Sequence, residues 1–171
     1  MEKKVILLGV DPGFSVTGYS ILKKEDKRTI ILDYGYLKMS SQKSLAERVG
    51  IFYNFFKEKI DKLAITDVAL ETSFLGKNAQ IFLKLGYLRG ILYLLASQNN
   101  LKIYEFAPRE VKSSVTGYGG ASKDQVALMI LSMFPKLNQF GKIEKQDVTD
   151  AIAISICGVW KSNQNDFFKK S

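Results

Sequence analysis

Histidine is absent from the chain, and Cys157 is its only cysteine. The first absence removes a Ser-His-Asp triad and every imidazole metal ligand. The second removes an intrachain disulfide and any cysteine cluster for zinc. Whatever chemistry the chain performs must come from carboxylates, lysines and hydroxyls, and oxygen-only sites select hard ions such as Mg²⁺ or Mn²⁺. No uninterrupted apolar run approaches the roughly 18 residues of a membrane helix. The opening Met1-Glu-Lys-Lys4 leads straight into Val5-Ile-Leu-Leu8, without the apolar core and cleavage site of a secretion signal. A cytoplasmic protein with no membrane partner is the expectation.

Negative charge is scarce as well: 25 Lys and Arg against 17 Asp and Glu give a net +8, which points to a polyanionic partner. Between Glu71 and Glu105 there is no acid, yet Lys77, Lys84, Arg89 and Lys102 occur there, so this stretch is suited to follow phosphates. Hydrophobic residues at 46% and charged residues at 25% are near the averages of globular domains, which argues against disorder and coiled coil. A length of 171 residues suits one domain with a full core. We read residues 1–161 as that domain and 162–171 as a frayed polar tail.

Val5 to Val10 is a continuous apolar run stopped by Asp11-Pro-Gly13, the pattern of a buried central strand. Thr17 to Lys23 and Thr29 to Met39, rich in β-branched and aromatic residues, predict two further strands of an antiparallel meander. From Ser44 the apolar period lengthens: Leu45, Val49, Phe52 and Ile60 mark an amphipathic helix. Asp67 to Glu71 is a strand that a right-handed crossover would lay parallel to the first. A helix over Asn78 to Asn99, a strand over Leu101 to Phe106, and helices from Pro108, from Lys123 to Phe134 and from Lys145 to Lys161 complete the order, with Ser122 as an N-cap. The class is α/β, a mixed five-stranded sheet flanked by α-helices.

Asp11 and Glu71 both fall at the carboxyl ends of predicted parallel strands, where open α/β sheets place their ligands. Neighbouring strands lie about 4.8 Å apart, so the two acids can meet, and two such charges about 4 Å apart repel by roughly 4 kcal/mol at an effective dielectric near 20. A cation should compensate. Taken singly, Asp11 reads as a turn former before Pro-Gly and Glu71 as a solvent-facing strand end. Asp147-Val-Thr-Asp150 shifts that balance, because the i, i+3 spacing puts two more carboxylates on one helix face. Acids also suit a helix N-terminus electrostatically. The small apolar run after Asp150, however, buries this helix and fixes its first turn. Four acids on three rigid elements suit a two-metal phosphoryl-transfer site, and a basic protein with such a site suggests a nuclease.

Leu8-Gly-Val-Asp-Pro-Gly-Phe-Ser-Val-Thr-Gly-Tyr19 resembles the opening of the RuvC family of Holliday junction endonucleases. So do Glu71-Thr-Ser-Phe-Leu-Gly-Lys-Asn-Ala79, Leu83-Lys-Leu-Gly-Tyr-Leu-Arg-Gly90, Ala107-Pro-Arg-Glu-Val-Lys112, Lys123-Asp-Gln-Val126 and Asp147-Val-Thr-Asp-Ala-Ile-Ala153. These blocks run in family order from about residue 4 to 160. The first of them also resembles the phosphate loop of actin-like ATPases, but those need two such domains to close on a nucleotide and this chain supplies one.

The resemblance implies an RNase H-like fold and a homodimer that binds four-way DNA junctions in recombination and repair. It implies symmetric nicking near the crossover with two Mg²⁺ ions per site, Mn²⁺ substituting, and RuvAB as the accompanying branch-migration complex. Asp11, Glu71, Asp147 and Asp150 fall on the family's metal-binding acids. Phe74 falls on an aromatic that enters the opened junction, and Lys112 and Lys123 on basic residues needed for binding or catalysis, Lys123 being counted with the catalytic set. Lys77, Asn78, Lys84 and Arg89 complete the expected DNA contacts. This sequence also departs from the family. It has no histidine among the last ligands, which leaves Glu144 and Asp147 as alternatives for completing the site, and Thr72-Ser73 and Gly117-Tyr-Gly-Gly120 differ from the usual pattern. The apolar stripe Ile81, Leu85, Leu88, Leu92 and Leu95, widened by Phe82, Ile91 and Tyr93, exceeds what one sheet face needs and predicts a dimer contact.

Overall fold

The computed structural model describes residues 4–25, 28–72, 78–139 and 142–167, with 139, 142–145 and 163–167 described through their backbone alone. The apolar run at the start forms β1 (Val5–Asp11), which pairs antiparallel with β2 (Val16–Glu25); β2 pairs in turn with β3 (Arg28–Lys38). The helix α1 (Leu45–Leu63) opens on a capping box in which Ser44 accepts from the Glu47 amide and the Glu47 carboxylate accepts from the Ser44 amide. It leads to β4 (Asp67–Glu71), parallel to β1 with Val10 opposite Leu70. Next come α2 (Ala79–Gln98), capped by Asn78, and β5 (Lys102–Phe106), parallel to β4. Then follow α3 (Pro108–Thr116), α4 (Lys123–Met133) behind the expected Ser122 cap, a 3₁₀ turn over Pro135–Gln139, and α5 (Lys142–Phe167).

The sheet order β3-β2-β1-β4-β5 puts the most apolar strand in the middle. Alternate residues of β1 face two separate cores. Val5 and Leu7 join α3, α4 and α5 on one side, and Ile6, Leu8 and Val10 join α1 and α2 on the other. The expected mixed five-stranded α/β architecture is therefore present.

One expectation needs correction. The last helix starts three residues before Lys145 and continues six beyond Lys161, so residues 162–167 are helical rather than a frayed tail. Ser-Asn-Gln-Asn-Asp-Phe contains neither Gly nor Pro to stop it, and Ser162 is itself buried. Helix α2, although Lys84 and Arg89 interrupt its apolar run, is by length and composition long and apolar enough to cross a membrane. Leu88, Leu92 and Leu95 bind it into the core, while Ile81, Phe82, Leu83, Tyr87, Tyr93 and Leu94 are left exposed. The apolar surplus thus has a protein-facing side and an open side.

Candidate active site

The parallel register of β1 and β4 carries Asp11 and Glu71 one step past the Val10–Leu70 pair, side by side at the carboxyl edge of the sheet. The third element reaches them through an unusually close approach of α5 to the sheet. A Cβ at Gly9 would lie 2.0 Å from the Ser155 hydroxyl and 2.8 Å from the Ala151 carbonyl oxygen, and one at Gly18 would lie 2.0 Å from the Asp147 carbonyl oxygen. Ser20 and Ser155 bond to one another in the same seam, and the Ser20 hydroxyl donates to the Ala151 carbonyl at 3.2 Å. Hydrogen lies where side chains would otherwise be, so the first turns of α5 sit on β1 and β2 with Asp147 and Asp150 beside Asp11.

Asp11, Glu71, Asp150, Lys112 and Lys123 line one cleft of about 210 Å³, walled by Pro108, Val111, Val126, Ala153 and Ile154. The Lys123 ammonium donates to the Asp150 carboxylate at 3.0 Å. Burial, and then the charges of Asp150 and Glu71, push the Asp11 carboxyl up to about 7; Lys123 acts against this, and Asp147 adds to it. Glu71 is also raised, by burial first and by Asp150 next, with Lys123 and Lys112 in opposition. For Lys123, burial alone would favour loss of its proton, but the hydrogen bond to Asp150 and the charges of Asp150, Asp11 and Glu71 hold its ammonium above the ordinary lysine range.

This donor set fits a divalent cation. It consists of oxygen ligands alone, and a positive ion would offset both the burial and the repulsion from Asp150 and Glu71 that raise the Asp11 carboxyl. As they stand, no three acidic side chains among the described residues form a ready ligand cluster, so the carboxylates converge on one place without being locked into a cage. Asp147 is not among the residues lining the cleft, although its charge reaches Asp11. The Glu144 side chain lies outside the described residues.

The basic residues divide into groups. Lys112 and Lys123 stand in the cleft, and Lys84 is exposed on α2. Asn78 caps α2, its side-chain oxygen accepting from the Ile81 amide at 3.1 Å. Phe74 and Lys77 lie outside the described residues. Arg89, expected along the DNA, is engaged within the protein. Its side chain is only 15% exposed, and its guanidinium donates to the Glu71 carbonyl and the Glu105 carboxylate. Sequence reasoning also missed Arg48, which donates to the Phe14 carbonyl and lies 4.6 Å over the Phe14 ring, holding the turn after Asp11. Its helical position is legible in the sequence, but its target, 34 residues away, is not.

A sheet of this order with acids at the ends of β1 and β4 and on the covering helix defines an RNase H-like protein, and the comparisons name the branch. The chain belongs to the RuvC family: the profile described as crossover junction endodeoxyribonuclease RuvC matches residues 7–158. The RuvC protein of Chlorobium phaeobacteroides is 45% identical over 153 residues, 90% of this chain and 80% of the relative; that of Pelodictyon phaeoclathratiforme is 42% identical over 167 residues, 98% and 86% respectively. The fold superposes on Thermus thermophilus RuvC in complex with a Holliday junction substrate with a TM-score of 0.82, at 23% identity, over 94% of this chain and 96% of that one.

Proposed function

We propose that this protein resolves four-way DNA junctions by paired, metal-dependent nicks, as an endonuclease of recombination and repair. The observation that carries this reading is the convergence of Asp11, Glu71 and Asp150 with Lys123 in one cleft, on the acids and lysine of the RuvC pattern. Asp11, Glu71, Asp150 and Asp147 would hold Mg²⁺, two ions per site with Mn²⁺ as a substitute. Bound there, the metal supplies an activated water and neutralises charge on the scissile phosphate. Asp11, raised to about 7 by burial and by Asp150 and Glu71, would hold the ion as a carboxylate. Lys123 stands 3.0 Å from Asp150, so its ammonium can stabilise the phosphate's growing charge from the α4 side. Lys112 adds a second cation, and the apolar wall of Val111, Val126 and Ile154 limits water. Lys84, with Phe74, Lys77 and Asn78, contributes to the DNA contacts. The substrate puts the working protein in the cytoplasm, with RuvAB the fitting branch-migration partner.

The test is cleavage of an end-labelled synthetic four-way junction with and without Mg²⁺, against linear duplex. Paired symmetric nicks that require the metal are the expected result; binding without cutting in either Mg²⁺ or Mn²⁺, across several core sequences, would leave a binding protein. Affinity should also fall steeply with salt, with log Kd against log [salt] rising by about 0.9 for each phosphate contacted. A salt-independent Kd would contradict a phosphate-tracking surface.

The open side of α2 supports a homodimer. Tyr87, Ile91 and Leu94 form an apolar groove with Leu45, Ala46 and Val49 of α1, and Gly86 and Gly90 leave its floor free of side chains. A two-fold dimer would present two equal sites to a nearly two-fold junction. Light scattering at micromolar concentration should return twice 19.2 kDa, and Tyr87→Asp should return the single mass. A monomeric wild type would remove the dimer reading.

A further inference from the structure

We infer that Arg89 is a positioning residue for Glu71, forming with Glu105 a clamp that sets where the Glu71 carboxylate stands. This rests on Glu71 being a metal-holding acid of the proposed nuclease.

Arg89 projects from the middle of α2 across the ends of β4 and β5. One arm of its guanidinium donates to the backbone carbonyl of Glu71, the last residue of β4, and the other to the Glu105 carboxylate on β5. Glu105 stands opposite Leu70 in the β4–β5 register, one step before Glu71. Tyr93, one turn further along α2, has its hydroxyl pKa raised by burial first and by the nearby Glu105 next. Two bonds in fixed directions need the planar fork of an arginine, and a lysine's single ammonium cannot reproduce them. Beyond Glu71 the Thr72 amide donates to the Phe106 carbonyl at 2.8 Å, which fastens the next peptide to β5. The strand end is thus held by backbone pairing on one side of the residue and by Arg89 at its carbonyl. A carboxylate on a three-rotor side chain swings widely if its backbone rocks, and outer partners that orient metal-holding carboxylates are typically worth 10- to 100-fold in affinity or rate. The guanidinium's second partner is an acid that neutralises it, so the clamp does not attract DNA phosphate.

Arg89→Lys separates this role from a DNA contact, because it keeps the charge and loses the fork. The expected result is a saturating single-turnover cleavage rate reduced 10- to 100-fold, partly restored by raised Mg²⁺. Mg²⁺ affinity measured by calorimetry on the DNA-free protein should weaken several-fold, with junction Kd and its salt slope within two-fold of wild type. Glu105→Gln, which keeps a neutral acceptor, should shift rate and metal affinity in the same direction by less, and it carries the test if Arg89→Lys does not fold. Wild-type rate and metal affinity in the foldable variant would overturn the clamp, as would a loss confined to junction Kd. If wild type cleaves no junction in any metal, it is the nuclease reading that fails, and Mg²⁺ calorimetry of Arg89→Lys still decides the clamp.

Discussion

Asp11→Asn is expected to abolish junction cleavage, by on the order of 10³-fold or more, while junction binding is retained or tightened and the metal-free protein becomes more stable. The three effects share one cause. Asp11 is buried between Asp150 and Glu71, and its carboxyl is pushed up to about 7. An aspartate raised in the folded state favours folding least when ionised. The folded protein keeps a proton that the unfolded chain releases near pH 4, so stability falls as pH rises from about 4 to about 7 and is flat above. Relative to the ordinary 3.8, the penalty at neutral pH is at most about 4 kcal/mol. Asparagine removes the charge and keeps the shape. Even a 2 kcal/mol gain would raise Tm by roughly 4–8 °C in a chain of this size. Scanning Tm of both proteins without metal from pH 4 to 8 checks the sign: the gap should open across the window and then stay constant. A gap independent of pH would show that Asp11 is not held protonated. Retained binding in a gel-shift titration separates this outcome from loss of fold.

The second large effect is expected from Gly18→Ala, a single methyl placed far from solvent. Its Cβ would lie 2.0 Å from the carbonyl oxygen and 2.5 Å from the carbonyl carbon of Asp147. Backbone cannot rotate away as a side chain can, so the first turns of α5 must lift from β2 by an ångström or more. Overpacking of this kind costs about 1–3 kcal/mol, occasionally more. Misplacing a catalytic group by about 1 Å costs on the order of 10²-fold in rate. Cleavage should therefore fall by at least that factor in protein that is still folded by circular dichroism. Gly50→Ala, at a position where an added Cβ meets nothing, should leave cleavage unchanged. Full activity in Gly18→Ala would mean that α5 has slack at the site.

How far the sequence discloses this architecture depends on whether the deciding contacts are local. β1 is readable because a strand covered on both faces is apolar nearly throughout, β4 by its short apolar run Val68-Ala-Leu70, and Asp11 and Glu71 are the charges at the carboxyl ends of those runs. The caps Ser44 and Ser122 are readable because each bonds within its own first turn. Lys123 is different. It meets Asp150 across 27 residues, and nothing in its neighbourhood distinguishes it from a solvated lysine, so the family pattern alone promotes it. Arg89 has an internal engagement that escapes for the converse reason. Its stretch lacks acids, but its partner Glu105 arrives from the next strand, and local charge composition does not show which guanidinium is already engaged. The end of α5 escapes for want of a signal, since a polar segment without Gly or Pro reads as tail or helix with equal ease.

The order in which the acids occur along the chain bears on its synthesis. Asp11 and Glu71 leave the ribosome early, but Asp150 follows 79 residues after Glu71, roughly 4–16 s later at ordinary elongation rates. Until then β1 and β2 lack the helix that covers one face, and the cleft has only two of its carboxylates and no Lys123–Asp150 pair. A nascent chain can thus bring its basic surface to DNA before it can cut. Placing Asp147 and Asp150 on α5 makes synthesis of that helix a condition for nuclease competence, and a product truncated before α5 would lack both carboxylates and be inert rather than hazardous to the genome.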